Sequence, residues 1–259
     1  MRNFLFQAVY WLTSVVTALV AIPLLLVPGR KLLMRWLRIY AATMVYWMRV
    51  IAGIELEIHG RHHVPSGPSL IGAKHQSWGD GFCMFSQFND LAFVTGDHLQ
   101  RIPVVGWILR KMEAIVVDTC GGAQARENLV DRELSRARNE GRRMLIYPEG
   151  RLTPVGYYHR YRRGIYHMYE AYQAPVVPVA TNLGLFWPLS QWDLKPGTAV
   201  IEFLEPIAPG LEKEAFMVEL EKRIETASLA LLPESFEIPI HRELDDEGEV
   251  IITELKQTG

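Results

Sequence analysis

Ser69-Leu70-Ile71-Gly72-Ala73-Lys74-His75-Gln76-Ser77-Trp78-Gly79-Asp80 passes from an apolar run, through a lysine and a histidine, into Trp-Gly-Asp. Ser69 to Lys74 reads as a buried strand and Gly79 to Gln87 as a helix, so the chemistry-bearing residues sit in a strand-to-helix turn. The same texture repeats outward from this point. Strands are predicted at Glu55 to His59, Leu91 to Thr95, Ala114 to Val117, Met144 to Tyr147, Val176 to Ala180 and Thr198 to Leu204. Helices are predicted at Val104 to Lys111, Gly122 to Asn139, Gly164 to Tyr172 and Leu211 to Leu231, with the stop signal Glu140-Gly141 following the second of these segments. Short β-branched strands alternating with helices imply an α/β fold, a mixed and largely parallel sheet flanked by helices. No internal repeat and no low-complexity linker interrupts it.

The chain has 259 residues, 49% hydrophobic and 22% charged, which excludes intrinsic disorder and suffices for a sizeable core. Its net charge of −2 argues against a nucleic-acid partner, because phosphate-backbone affinity needs a basic face. That average hides two opposed ends. Residues 1–54 carry six cations and no acid, whereas 234–259 hold eight acids against Arg242 and Lys256. From Phe4 to Val27 no charged residue occurs, a run longer than the core of a cleavable signal peptide and long enough for a spanning helix of about 20 residues. Ile39 to Ile54, with Arg49 inside it and Trp36, Tyr40, Tyr46 and Trp47 around it, suits an interfacial or re-entrant helix. Together they form a predicted N-terminal membrane helix pair. Arg30, Lys31, Arg35 and Arg38 mark the cytoplasmic side and attract anionic lipid. The expected organisation is membrane-anchoring helices at 1–54, a catalytic α/β domain at 55–233 and a solvated acidic tail at 234–259. Cys83 and Cys120 lack CxxC or zinc spacing, so neither a disulfide framework nor a metal is indicated.

Two stretches carry candidate chemistry. His75 and Asp80 lie close enough across the turn for the carboxylate to accept from one imidazole nitrogen and strengthen the other as a base. On spacing alone Asp80 could equally cap a helix and His75 be a structural histidine. Tyr147-Pro148-Glu149-Gly150-Arg151-Leu152-Thr153 follows another apolar strand and makes an open loop at the carboxyl end of the sheet, where ligands of α/β folds gather, or else an ordinary surface turn. Met84, Phe85, Phe88, Trp107 and Met112 are either core or the lining of an apolar substrate channel.

The order of motifs resembles the glycerolipid acyltransferases, the family of bacterial 1-acylglycerol-3-phosphate acyltransferase. His75 to Asp80 is similar to that family's HX4D signature and Pro148-Glu149-Gly150 to its third block, with Ile102-Pro103-Val104-Val105-Gly106 and Ala174-Pro175-Val176-Val177-Pro178-Val179 as the second and fourth. The resemblance spans about Ile54 to Leu232. It implies transfer of an acyl group from acyl-CoA or acyl carrier protein to a lipid hydroxyl, with His75 as general base and Asp80 orienting it. It further implies a substrate-binding set of Ser77, Pro148, Glu149, Gly150, Arg151 and Arg162, in which Glu149 contacts the polar end of the acceptor. Oxyanion donors would come from backbone amides near Pro148 to Gly150 or from the helix after His75. No cofactor and no metal are implied; the partners are membrane lipids and the thioester donor, at the cytoplasmic face of the bacterial inner membrane, and oligomeric state is left open.

Two departures bear on the acceptor. Gly96-Asp97-His98-Leu99 stands where the family usually places Lys and Glu before the leucine, and Arg151-Leu152 where it places Thr-Arg. Those cations are the natural partners of a phosphate, so their loss and displacement favour a lyso-aminolipid acceptor over lysophosphatidic acid, while Arg160, Arg162 and Arg163 offer substitutes. A catalytically inactive membrane-binding scaffold and a thioesterase or lysophospholipase are the alternative functions.

Overall fold

The computed structural model describes residues 1–117, 132–190 and 192–251. Two helices, α1 (Arg2–Leu26) and α2 (Lys31–Trp47), lead through a wide turn at Met48–Ala52 into the α/β domain. There β1 (Ile54–His59), β2 (Ser69–Ala73), α3 (Asp80–Ser86), β3 (Leu91–Gly96), α4 (Val105–Lys111) and β4 (Ile115–Val117) follow in order. A helix over 132–139, α5, then precedes β5 (Arg143–Ile146), β6 (Tyr158–His159), α6 (Gly164–Tyr172), β7 (Val176–Thr181), β8 (Gly197–Phe203), α7 (Lys213–Ala230) and β9 (Glu243–Leu244). Every predicted strand lies within one residue of its place. The predicted helix from Gly122 is helical over 132–139, its earlier part lying outside the described residues, as does Cys120.

Among the described residues seven strands form one sheet in the order β1-β8-β7-β2-β5-β3-β4, every neighbour parallel except β7 with β8. β2 is central and buried at every residue, which is why it reads as a continuous apolar run instead of an alternating one. Successive side chains serve opposite faces. Ile71, Leu145, Val177 and Ile201 join α1, α2 and α3 in one core layer, and Leu70, Met144 and Val176 join α6 and α7 in the other. The register Ser69↔Arg143 to Gly72↔Ile146, carried forward, sets the residues after β2 beside those after β5. His75 and the Tyr147–Gly150 loop therefore emerge together.

α1 is long and apolar enough to cross a membrane, and among the described residues no other helix is. α2, with 17 residues including Lys31, Arg35 and Arg38, begins eight residues before the expected Ile39, ends at Trp47 and packs against α1 and α3, so one helix of spanning length and one shorter helix make up the pair. α1 does not stand away from the domain. Asn3 donates to the Trp192 carbonyl at 2.8 Å and Arg2 to that of Leu194 at 3.4 Å, while at the other end Lys111 donates to the Val27 carbonyl at 2.7 Å. Phe6 is buried edge-on against Trp187 at 5.1 Å. A helix of about 38 Å is thus fastened along the domain at both ends, leaving Trp11, Leu12, Val15, Val16 and Leu19 exposed on its outer face. Arg30, expected on the lipid surface, instead joins Asp90, Glu113 and Glu140 at 2.9, 2.6 and 2.5 Å, because it faces the acid-bearing amino ends of β3 and β4.

The reading of a solvated tail is corrected over its described part, to Ile251. β9 pairs in parallel with β6, Leu244 bridges to Val250, and the turn between them is closed by Asp245 accepting from the amides of Glu247 and Glu249. Acidic residues here serve as turn formers and ion partners.

Candidate active site

β2 ends in a turn that brings Asp80, at the start of α3, back onto His75. Asp80 Oδ2 accepts from His75 Nδ1 at 3.0 Å and from the backbone amides of Gln76 and Ser77 at 2.7 and 2.8 Å. Asp80 is 2% exposed, so these three bonds hold its oxygen at a fixed place in a low-dielectric setting. With Nδ1 donating to Asp80, Nε2 is the lone-pair nitrogen, and the His75 side chain is 22% exposed. The Tyr147 ring stacks on the imidazole at 3.9 Å between centroids. Burial, with Asp80 nearby, holds the Tyr147 hydroxyl well above its ordinary pKa, so the ring is a neutral platform. Ser77 Oγ accepts from the Gly79 amide at 3.0 Å and is fully buried.

Behind this turn lies a buried charge cluster. Lys74 Nζ donates to Glu149 Oε1 at 2.8 Å, to Glu225 Oε1 at 2.8 Å and to the Tyr157 carbonyl at 2.9 Å. Glu149 also accepts from the amides of His159 at 3.1 Å and His75 at 3.4 Å. Glu225, on α7, accepts from the Tyr161 hydroxyl at 3.0 Å and from Arg242 at 3.0 Å. Burial raises the Glu225 carboxyl above its usual range, against the opposing pull of Lys74. Two cations and two carboxylates thus cross-link the turn after β2, the loop after β5, α7 and the C-terminal hairpin. Removing one member would strand a buried charge.

The loop after β5 wraps the histidine. Tyr147 stacks on it, Glu149 accepts from its amide, and the Thr153 amide donates to its carbonyl at 2.8 Å. Gly150 turns the loop at φ +70° and leaves Arg162 Cγ at 3.4 Å from where a Cβ would stand. From this loop Arg151 reaches outward, and Asp246 gathers it with Arg162: Asp246 Oδ1 lies 2.7 Å from Arg162 Nη2 and 3.4 Å from Arg151 Nη2, and its carbonyl accepts from Arg151 Nη1.

Of the residues predicted from sequence, His75 and Asp80 come together as expected, and Arg151 and Arg162 converge on Asp246. Glu149 is fully buried on Lys74, so the expected contact with the acceptor is replaced by a supporting one. Ser77 and Pro148 are likewise buried within the loops. Among the oxyanion candidates, Pro148 has no N–H and the Gly150 amide donates to the Tyr147 carbonyl at 3.0 Å. Met84, Phe85, Phe88 and Met112 are core. Trp107 lines a groove of about 560 Å³ with Ile22, Leu25 and Leu26, at the amino ends of the strands and so opposite His75. The expectations for Asp97 and His98 side chains fall outside what is described. Lys74, Glu225, Arg242 and Asp246 were not anticipated. A lysine closing an apolar strand just before His75 was a signal for the first; nothing local marks the others.

A family profile described as Acyltransferase matches residues 55–182. The chain is 31% identical to a 1-acyl-sn-glycerol-3-phosphate acyltransferase of Pseudomonas aeruginosa over 189 residues, 70% of each chain. It is 27% identical to a lyso-ornithine lipid O-acyltransferase of the same organism over 127 residues, 49% of this chain and 44% of the other. Its fold is similar to that of the crystal structure of the Thermotoga maritima 1-acyl-sn-glycerophosphate acyltransferase PlsC, with TM-score 0.71 over 89% of this chain and 98% of that one, at 19% identity. A histidine backed by a buried aspartate five residues on, in a sheet of this topology and with these relatives, makes the chain a member of the acyltransferase family.

Proposed function

We propose that the protein moves a fatty acyl group from an acyl-CoA or acyl carrier protein thioester to the hydroxyl of a lyso-lipid, on the cytoplasmic face of the bacterial inner membrane and without a further cofactor. The observation that carries this reading is the bond from His75 Nδ1 to the buried Asp80, which leaves Nε2 as the base. Nε2 takes the acceptor's hydroxyl proton as the oxygen attacks the thioester carbon. The C–O ester bond forms, the C–S bond breaks, and imidazolium returns the proton to the departing thiolate. Asp80 supports the imidazolium throughout. No acyl-enzyme is needed.

The acceptor we favour is 1-acylglycerol-3-phosphate. Its support is the convergence of Arg151 and Arg162 on a single carboxylate, which supplies a two-arginine anion site despite the shifted motif. A lyso-aminolipid is the second reading, supported by Asp246 as a partner for an ammonium group. The outer face of α1, with exposed Trp78 in the histidine turn and exposed Trp192 beside the start of α1, supports attachment along the lipid surface. The test is an acyl-transfer assay in membranes of a host lacking background activity, offering labelled acyl-CoA and acyl carrier protein against both acceptors, with His75→Ala as control. Acylated product that disappears in His75→Ala is expected. Free fatty acid without acceptor would point to a thioesterase, and lipid binding without transfer to a scaffold.

A further inference from the structure

The C-terminal hairpin is held too firmly to be an incidental covering. At its root Arg242 donates to the Gly156 carbonyl at 2.6 Å and to Glu225 at 3.0 Å, which ties it to the cluster behind His75. β9 lies alongside β6, and Ile251 donates back to the Glu243 carbonyl at 2.9 Å. At its tip Gly248, with φ +91°, and the Asp245 side chain close the turn, and Asp246 is presented outward. There it meets Arg162 at 2.7 Å and Arg151 at 3.4 Å. Both guanidinium groups therefore point at one oxygen. The Asp246 side chain is 68% exposed, so the contact is of the weak, solvent-screened kind that a stronger anion displaces. A phosphomonoester brings more charge and more acceptor oxygens to the same two forks. A headgroup carrying an ammonium finds in Asp246 a partner instead of a rival.

We propose that Asp246 is a specificity-determining residue for the acceptor headgroup: its carboxylate competes with an acceptor phosphate for Arg151 and Arg162, and attracts an acceptor ammonium. The inference rests on the reading of those arginines as the acceptor's anion partners. It makes the headgroup preference a property of the hairpin, some ninety residues away in sequence from the loop it acts on.

The test uses the full chain in mixed micelles, with lysophosphatidic acid and lyso-ornithine lipid as varied acceptors. Asp246→Asn is expected to lower KM for lysophosphatidic acid about two- to fivefold, the range an exposed ion pair carries, and to raise KM for the lyso-aminolipid. Both changes should sit in KM and shrink in an Arg162→Ala background. Arg162→Ala alone should raise KM for lysophosphatidic acid about tenfold or more. An Asp246→Asn variant with KM unchanged or raised for lysophosphatidic acid, while Arg162→Ala still weakens it, overturns the role of Asp246 alone. Unchanged KM in both Arg151→Ala and Arg162→Ala overturns the anion site beneath it. A fall in kcat with both acceptors and a lowered Tm in Asp246→Asn would mark a merely structural contact and also overturn the proposal.

Discussion

On the proposed mechanism, replacing His75 by alanine removes the nitrogen assigned to take the acceptor's proton, and transfer is expected to fall about a hundred- to ten-thousandfold. Asp80→Asn keeps the volume and can still accept from the amides of Gln76 and Ser77. The same oxygen position meets His75 Nδ1, so the tautomer is kept, and what the variant lacks is the negative charge that would support the imidazolium. A kcat well below the parent's, with the fold retained, is the expected result; undiminished activity in Asp80→Asn would remove the aspartate's charge from the mechanism. At this scale the sequence was legible where a short spacing closes a short turn, as between His75 and Asp80. It was not legible where partners are remote. Lys74 and Glu225 are 151 residues apart, and the likeness of Glu149 to a substrate contact hid its engagement with Lys74. The buried cluster adds a pH signature. Because burial raises the folded-state value of Glu225, the carboxyl's contribution to stability is full below the ordinary carboxylate range and is lost as pH rises through the raised value. Glu225→Gln lacks that loss. Its Tm deficit relative to the parent should therefore narrow between about pH 4 and about pH 7; a deficit that widens over the same interval would contradict it.

Elements were legible wherever burial imposes a period. β2, β5 and β7 are packed on both faces, so their apolar runs survive as written, and α6 lies at Gly164–Tyr172 as predicted. β6 and β9 are two residues each, too short to show alternation, and the acidic composition of the hairpin resembled that of a solvated end. The elements also brace one another. The short 3₁₀ turn Leu183–Leu185 after β7 passes directly beneath the histidine turn, and a Cβ at Gly184 would lie 2.7 Å from Val155 Cγ2 and 2.9 Å from the Gln76 carbonyl oxygen. Backbone cannot retreat from such a contact cheaply. Gly184→Ala is expected to cost about 1–3 kcal/mol and to lower kcat by displacing Gln76, whose amide holds Asp80. A thermal melt and an acyl-transfer assay on the same preparation check both; an unchanged kcat would show that the turn does not position the aspartate.

On the scale of the whole molecule, the sequence disclosed a greasy helix but not its posture. Hydropathy registers how apolar α1 is; it does not register that Asn3 and Val27 are both bonded to the domain. A double substitution on the outer face, Leu12→Glu with Leu19→Glu, places two charges where both side chains are more than half exposed, at 65% and 61%. The fold should stand, with Tm within a few degrees of the parent's, and the protein should stay in the bottom fraction instead of floating with anionic vesicles. Undiminished vesicle binding would shift the attachment to another surface. The posture of α1 has a kinetic corollary. On the proposed attachment, the enzyme is strapped lengthwise to a lipid surface and meets its acceptor by diffusion in two dimensions. Its turnover then follows the mole fraction of lyso-lipid in the leaflet and not the amount per litre, so that inert lipid acts as a diluent and slows the reaction even when the total acceptor is held constant.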